Sequence, residues 1–388
     1  MSGSGHAFNL RRESAEQNRR SMIRRWISVQ APISPSVVFH PPQKERPFPL
    51  EDPRCRLFHR ARHGLWEAVR AYGFEAGQEV LVPSYHHGSE IEALIRAGLR
   101  PRFYACDERL EPDPSHLEDL LNPRVRVLYL IHYLGFPQDG ARWRRWADEH
   151  DLLLIEDAAQ AWLSARDGRP VGSHGDIALF CLYKTLGLSD GGAVISSLPW
   201  TSLTGVSTRG LRALGAGMVG WLSQRVSVSG TFGRSLHTPF DPECDSIDLG
   251  DPVSSPSRAA SFVVDREADL AIAEKRRANY RALLSELADF VPPPFSQLPE
   301  GASPLQFPIQ VRDKPAFLER LAGEGVEGAN CWPLPHPVGE SEQCDRVRAL
   351  RSTLVGLPVH QELRERDLVR IAGAARSALA SNGRPSIR

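Results

Sequence analysis

Short apolar runs alternate with amphipathic segments from about residue 55 onward. Periodicity predicts helices over 61–72, 88–98, the segment after Pro114 and 142–150, and strands at 79–83, around 102–105, in VRVLYLIH and in LLLIED. Such alternation favours an α/β fold with a mainly parallel central sheet and helices on both faces. Ligands of these sheets bind at the carboxyl ends of the strands, where His132, Asp157 and Lys184 fall.

The chain divides by pattern into three parts. Residues 1–45 are polar, Arg-rich and then Pro-rich, which predicts a mobile arm without an assigned function. Residues 46–260 form the predicted large domain, although 205–260 are rich in Gly, Ser and Pro and predict only loops and one helix near Val219. The long run READLAIAEKRRANYRALLSELADF predicts one helix leading into a smaller C-terminal α+β domain, 261–388, which ends in a helix after Leu363.

Composition narrows the class of protein. The 388 residues are 41% hydrophobic, and 47 Lys plus Arg balance 47 Asp plus Glu. Because no net charge draws the chain to nucleic acid or to an anionic membrane, we expect small-molecule substrates instead. The six cysteines form no CxxC pair, which disfavours a zinc site and a disulfide framework. Without an apolar leader or a long apolar stretch, the protein is expected in the cytoplasm.

Lysine usage points to one residue. The chain has only Lys44, Lys184, Lys275 and Lys314, and of these Lys184 alone ends an apolar run, IALFCLY. Desolvation lowers the pKa of a lysine toward that of an amine nucleophile, as Schiff-base chemistry requires. The alternative is a lysine whose ammonium group reaches solvent from a strand end.

Asp157 ends the strand LLLIED upstream of Lys184. Enzymes that use pyridoxal 5'-phosphate (PLP) need a carboxylate at the pyridine nitrogen, and Asp157 fits that role. Glu156 should point to the opposite face of the strand, as a packing or surface carboxylate. Gln160, one helical turn further on, could donate to the phenolic oxygen of the cofactor.

Four stretches together resemble the DegT-type sugar aminotransferases of PLP fold type I, the aspartate-aminotransferase-like fold. They are AGQEVLVPSYHHGSEIEALIRAG, VLYLIHYLG, LLLIEDAAQAW and VGSHGDIALFCLYKTLGLSDGGAVISS, which cover about 76–197. The resemblance implies that Lys184 carries PLP as a Schiff base and that Asp157 pairs with the pyridine nitrogen. It also implies that Gln160 contacts the phenolic oxygen.

Several positions depart from the family pattern. His87 stands where the family places an aromatic side chain over the cofactor ring, although His86 is adjacent. In ARHGL, Arg62, His63 and Gly64 replace the usual Gly-Thr pair and become the candidates for binding the phosphate. Cys181 replaces a serine that reaches the phosphate, and as a small buried residue it has a structural alternative. The loop to the lysine is shorter than the family's. The segment that brings an arginine to the neighbouring subunit's site is not recognisable, and Arg258 in SSPSRAAS is taken as a candidate for its remnant.

The resemblance implies an aminotransferase that works as a homodimer. Its usual amino donor would be glutamate, and its usual acceptor a keto sugar attached to a nucleotide. Two alternatives remain open at this point: another PLP-dependent reaction, such as elimination or decarboxylation, and a non-catalytic binding protein with the same fold.

Overall fold

The computed structural model describes residues 25–200, 205–206, 210–225, 246–250, 252 and 254–380. Its strands are β1 (Cys55–Phe58), β2 (Glu79–Pro83), β3 (Arg100–Tyr104), β4 (Val125–Ile131), β5 (Leu153–Asp157), β6 (Ala165–Arg166), β7 (Arg169–Pro170), β8 (Ile177–Cys181), β9 (Gly192–Ser196), β10 (Gly205–Val206), β11 (Ser254–Ser255), β12 (Phe307–Gln310), β13 (Ala329–Asn330) and β14 (Leu354–Leu357).

The helices follow the strands in the predicted alternation as far as β5. They are α1 (Ala61–Ala71), α2 (Ser89–Arg96), α3 (Pro114–Leu120), α4 (Gly140–Glu149), α5 (Leu182–Leu186), α6 (Gly210–Arg225), α7 (Arg258–Glu267), α8 (Ala271–Leu287), α9 (Lys314–Gly323), α10 (Asp345–Thr353) and α11 (Glu365–Ala380). Short 3-10 turns lie at Pro35–Val38, Tyr133–Gly135, Ala288–Phe290 and Pro337–Gly339. Among the described residues, no helix is long and apolar enough to cross a membrane.

Within the described part of the chain, seven strands form a large sheet in the order β1-β9-β8-β5-β4-β2-β3. The pairs from β8 through β5, β4 and β2 to β3 are parallel, and β9 runs antiparallel to both β8 and β1. Every residue of β2, β8 and β9 is buried, as expected for strands that helices cover on both faces. The predicted mainly parallel α/β sheet is confirmed, and β4, β5 and β8 end side by side.

The C-terminal part builds a small sheet in the order β12-β14-β13, with both pairs antiparallel. The single long helix predicted over READLAIAEKRRANYRALLSELADF is instead two helices, α7 and α8. The chain turns at Ala268, whose backbone is extended, and the Asp269 carboxylate then accepts the N–H of Ala271 at 2.8 Å. A side chain that caps a new helix start therefore divides a run that periodicity alone reads as continuous.

The N-terminal segment differs from the predicted mobile arm. Residues 1–24 lie outside the described residues, but from residue 25 the chain packs onto the rest of the molecule. Ile27 bridges to Val326, and the side chains of Ile27, Ile33 and Val37 are buried. The reason is that these apolar side chains, spaced too irregularly to give a period, fill gaps in a core formed by other elements. The domain boundaries at 45 and 260 remain a prediction.

Candidate functional site

A cavity of about 370 Å³ lies at the carboxyl edge of the large sheet, below the small sheet. Its floor is formed by the start of α1, by the loop between β2 and α2, and by the ends of β4, β5 and β8. Residues 327–332 and the N-terminal residues Val29 and Gln30 cover it from the other side. Of the residues predicted for the site, Arg62, His87, Asp157, Gln160, Cys181 and Lys184 line this cavity.

Asp157 ends β5 with a buried carboxylate. Its Oδ1 accepts the N–H of Ala159 at 2.8 Å, and its Oδ2 accepts the hydroxyl of Tyr129 at 2.7 Å. Burial, followed by the nearby charge of Glu90, raises the pKa of Asp157 from 3.8 to about 6. Because burial disfavours the charged form of this carboxyl group, a cation placed against it would be stabilised.

Glu156, the preceding residue, lies on the opposite face of β5. Its carboxylate accepts backbone N–H groups of Gly172, His174 and Gly175 and faces His132 Nε2 at 3.1 Å. Hydrogen bonding, above all with His132, outweighs burial and lowers the pKa of Glu156. His132 was expected at the ligand-binding edge together with Asp157. The structure instead commits it to this structural network, because its Nδ1 also accepts the N–H of Gln138 at 3.0 Å.

Lys184 lies on α5, a single helical turn that follows β8 directly, and not on a strand end as the apolar run suggested. The turn ends at Gly187 in the left-handed region, with φ of 70°. A Cβ atom at Gly187 would lie 1.7 Å from the carbonyl oxygen of Ala31, so this close approach requires glycine. The half-buried Lys184 side chain lines the cavity beside the end of β5.

His87 and His86 face in different directions. His87 lines the cavity, and its ring lies 6.2 Å from the ring of Trp332. Burial lowers the pKa of His87 to about 4, so the imidazole is neutral near pH 7. His86 stacks on Phe103 outside the cavity, and its Nε2 accepts the N–H of His336 at 3.1 Å. The geometry therefore favours His87 over His86 as the ring above a bound cofactor.

Gln160 offers its amide nitrogen to the cavity. The carbonyl oxygen of this side chain accepts the N–H of Leu134 at 2.9 Å. Since the oxygen is held by a donor, the amide nitrogen is the group of Gln160 that can donate to a ligand oxygen. Cys181, at the N-cap of α5, is buried against the cavity wall.

The start of α1 faces the cavity, but the three residues predicted for it differ in position. Arg62 lines the cavity, while its Nη1 also donates to the carbonyl oxygen of Asp248 at 2.8 Å. His63 and Gly64 lie outside the cavity lining: the Nε2 of His63 is 2.8 Å from the carbonyl oxygen of Leu249. The packing of α1 on the sheet explains Gly64, because a Cβ atom there would lie 2.5 Å from Val194.

Sequence reasoning missed several residues that form the site. Arg60 is the N-cap residue of α1, makes no side-chain capping hydrogen bond, lines the cavity and stacks over the ring of Tyr183 at 5.1 Å. Tyr129 could have been found from the strand pattern. It pairs with Ile155 of β5, and Asp157, two residues further along that strand, points to the same face of the sheet. Glu90 and Trp332 gave no sequence signal, since each reaches the cavity only through tertiary packing.

The comparisons with known proteins match this architecture. Residues 58–207 match the model of the DegT/DnrJ/EryC1/StrS aminotransferase family. The UDP-N-acetyl-3-dehydro-alpha-D-glucosamine 3-aminotransferase of Acidithiobacillus ferrooxidans is 27% identical over 333 residues, which cover 81% of each chain. The dTDP-3-amino-3,4,6-trideoxy-alpha-D-glucose transaminase of Streptomyces venezuelae is 36% identical over 136 residues, 34% of this chain and 36% of that protein.

Solved structures share the fold over most of the chain. The aminotransferase PseC of Helicobacter pylori, involved in the biosynthesis of pseudoaminic acid, superposes with a TM-score of 0.66 at 16% identity and covers 92% of this chain and 100% of its own. The aminotransferase TlmJ of Streptoalloteichus hindustanus gives a TM-score of 0.61 at 21% identity, over 84% and 86% of the two chains. The predicted fold class is confirmed, and the resemblance to the DegT/DnrJ/EryC1/StrS aminotransferase family extends over residues 58–207.

Proposed function

We propose that the protein is a PLP-dependent aminotransferase in which Lys184 binds the cofactor covalently and Asp157 holds its pyridine nitrogen. The observation that carries the proposal is that these two residues line one cavity at the edge of the large sheet, Asp157 at the end of β5 and Lys184 on the turn that follows the neighbouring parallel strand β8. The family domain over residues 58–207 supports the same reaction class.

The residues around the cavity fit PLP. The buried Asp157 carboxylate suits a pyridinium, the neutral His87 ring suits stacking on the cofactor face, and the amide nitrogen of Gln160 suits the phenolic oxygen. A helix start without a side-chain cap, flanked by Arg60 and Arg62, suits the phosphate. Cys181 completes the wall at the phosphate end as a small side chain and a weak donor.

PLP, when bound, supplies an electron-accepting ring that stabilises negative charge on the substrate carbon. The chain's own residues do the rest. The Lys184 amine would hold the cofactor covalently. Once an amino donor had displaced that amine, it would act as the base that accepts the proton of the substrate carbon. Asp157 keeps the positive charge at the ring nitrogen, and the small sheet with Gln30 and Trp332 restricts the access of water.

For the substrates, the proposal is an amino acid as donor and a keto sugar, or a related biosynthetic intermediate, as acceptor. The names of the relatives support a sugar acceptor, since each describes an enzyme that places an amino group on a nucleotide-linked sugar. The outer cavity supports it as well. Tyr85, Tyr133 and Trp332 form an aromatic wall with ring centroids 5.0 to 5.8 Å apart, and the amides of Gln306 and Asn330 can bind hydroxyl groups.

The first experiment is the visible spectrum of the protein with PLP, followed by borohydride reduction and peptide mapping. Wild-type protein should show a band that amino donors bleach, and the reduced cofactor should be found on Lys184. The Lys184→Ala variant should stay folded but form no reducible link, whereas Lys275→Ala, on the exposed face of α8, should match wild type. A reducible link that survives in Lys184→Ala would exclude the proposed role.

A homodimer and a cytoplasmic location belong to the same proposal. Exposed apolar side chains support a second copy: Phe39 is 85% exposed, and Leu211 and Leu222 on α6 are 78% and 49% exposed. Arg258, at the exposed start of α7, is the residue proposed to reach the partner's site. Mixing Lys184→Ala chains with Arg258→Ala chains should restore some activity if the sites are shared, and no recovery would argue for independent sites.

A further inference from the structure

Arg276 is a buried cation in the middle of α8. Only 1% of its surface is exposed, and its hydrogen-bond acceptors among the described residues are neutral amide oxygens. It donates to the side-chain oxygen of Gln361 at 3.0 Å, to the carbonyl oxygens of Pro304 and Leu305 at 3.0 and 3.3 Å, and to that of Thr185 at 3.0 Å. One side chain thus joins the small-sheet region to the turn that carries Lys184.

Burial of a guanidinium without a carboxylate is unfavourable. Burial lowers the pKa of Arg276 to about 9, which still leaves the group charged near pH 7. An apolar side chain at this position of α8 would pack without that cost. The charge is therefore retained for its hydrogen bonds, which are stronger and more directional than those of a neutral donor.

The contact with Thr185 falls next to the lysine. The carbonyl oxygen of Thr185 accepts a second hydrogen bond, from Gln361 Nε2 at 3.1 Å. On the other side of Lys184, the carbonyl oxygen of Tyr183 accepts the amide of Gln30 at 3.2 Å. The carbonyl groups of the two residues that flank Lys184 are thus held by side chains from outside the large sheet.

We infer that Arg276 and Gln361 are positioning residues that fix the Lys184 amine in the cavity through the Thr185 carbonyl. This role rests on the proposed function. A single helical turn of five residues has few hydrogen bonds of its own, the N–H groups of Gly187 and Leu188 both donating to Tyr183, so the external donors help to set where the Lys184 side chain begins. A misplacement of about 1 Å at a reacting group can cost about 100-fold in rate.

The competing explanation is that Arg276 only fastens α8 to the loop at Pro304 and Leu305. That role would change the stability of the protein but not the chemistry of Lys184. The neighbouring Arg277 is a matched control, because its guanidinium donates to the carbonyl oxygen of Ala302 at 3.0 Å, which lies away from the lysine turn.

The test compares the holoenzyme forms of wild type, Arg276→Met, Gln361→Ala, the double variant that carries both of these changes, and Arg277→Met. Three quantities are measured: the pH midpoint of the visible PLP band, the rate of bleaching of that band by L-glutamate, and the melting temperature. The pH midpoint reports the surroundings of the lysine nitrogen and does not depend on the identity of the acceptor.

The positioning role predicts that Arg276→Met and Gln361→Ala shift the pH midpoint by about 0.5 or more. The bleaching rate should fall about tenfold to 100-fold. Because both variants remove a donor to one oxygen, the double variant should be less affected than the two single effects combined. Arg277→Met should match wild type in midpoint and rate.

A lower melting temperature with an unchanged midpoint and rate would overturn the positioning role and leave Arg276 as a structural fastener. If Arg276→Met fails to fold, Gln361→Ala decides the question by itself. The Gln361 side chain is only half-buried, and its removal takes away a donor to the same Thr185 carbonyl oxygen. If wild type forms no visible band with PLP, the proposed function itself fails. An intact wild-type band with unaffected variants rejects only this inference.

Discussion

Replacing Asp157 by asparagine should stabilise the protein without cofactor while removing most of its activity. Burial raises the pKa of this carboxyl group from 3.8 to about 6. The folded state therefore holds the proton more tightly than the unfolded state does. The resulting stability is complete below about pH 4 and is lost as the pH rises through 6.

The pKa difference sets the size of the effect. At pH values above both pKa values, ionisation of Asp157 lowers the free energy of unfolding of the cofactor-free protein by about 3 kcal/mol, compared with a side chain that does not ionise. Asparagine cannot accept from both Tyr129 and Ala159, which costs about 1 kcal/mol. The net expected gain near pH 8 is about 2 kcal/mol, and the gain should shrink by roughly 1.5 kcal/mol on going to pH 5.

The assay is denaturant unfolding of the two proteins without cofactor between about pH 5 and pH 8, repeated with PLP. Bound PLP should reverse the order, because the pyridinium favours the Asp157 carboxylate and has no charged partner in the asparagine variant. Turnover should fall strongly in that variant. An asparagine variant less stable than wild type at pH 8, or a pH-independent difference, would refute the reasoning.

Glu156→Gln is the matched control, one residue away and of opposite sign. The pKa of Glu156 is lowered, so its stabilisation is present above the unfolded pKa and is lost as the pH falls. An amide there would turn its NH₂ group toward N–H donors such as those of Gly172 and His174. We expect a loss of about 2 to 5 kcal/mol near pH 7. If Asp157→Asn and Glu156→Gln changed the free energy of unfolding in the same direction, the different hydrogen bonding of the two carboxylates would not explain their stability effects.

Two further predictions concern the start of α1. Removing the guanidinium in Arg62→Ala should raise the dissociation constant of PLP about tenfold or more in a fluorescence titration, since a charge-assisted hydrogen bond contributes roughly 1.5 to 3 kcal/mol. An unchanged constant would leave Arg62 as an anchor for the segment around Asp248. Gly64→Ala should lower the free energy of unfolding by about 1 to 3 kcal/mol through overpacking against Val194 and Phe58, while the PLP constant changes less than about twofold. Weakened PLP binding at unchanged stability would instead assign Gly64 to the phosphate.

The positions of Asp157 and Lys184 could be predicted from sequence because Asp157 ends one strand and Lys184 lies just beyond another, and the apolar run of each strand is unambiguous. Parallel strands bring their carboxyl ends to one edge, so order along the chain was enough to bring the two residues together. His132 met the same criterion and was misplaced. Its strand also ends at that edge, but the side chain turns toward Glu156. A position at the edge of the sheet does not determine on which face of the sheet the side chain lies.

Other parts of the site depend on contacts that no local pattern encodes. Arg60 looks like one of many surface arginines until α1 is docked on β9 and its side chain is enclosed beside Tyr183. The packing of residues 26–37 escaped prediction because their apolar side chains fill spaces created by residues such as Val326. Arg276 sits in an ordinary amphipathic helix, and only tertiary structure reveals which carbonyl groups it reaches.

The two adjacent carboxylates at the end of β5 show how the fold separates a structural charge from a charge kept for a ligand. Among the described residues, Glu156 receives three backbone N–H groups and faces His132, so its charge is fully compensated. Asp157 receives two donors under comparable burial and a repulsive contribution from Glu90. A buried carboxylate with spare acceptor capacity lowers its energy when a cation enters the cavity. Alternation along β5 points the two side chains to opposite faces of the sheet. Glu156 is therefore part of the structural framework, and Asp157 is left to bind a positively charged ring.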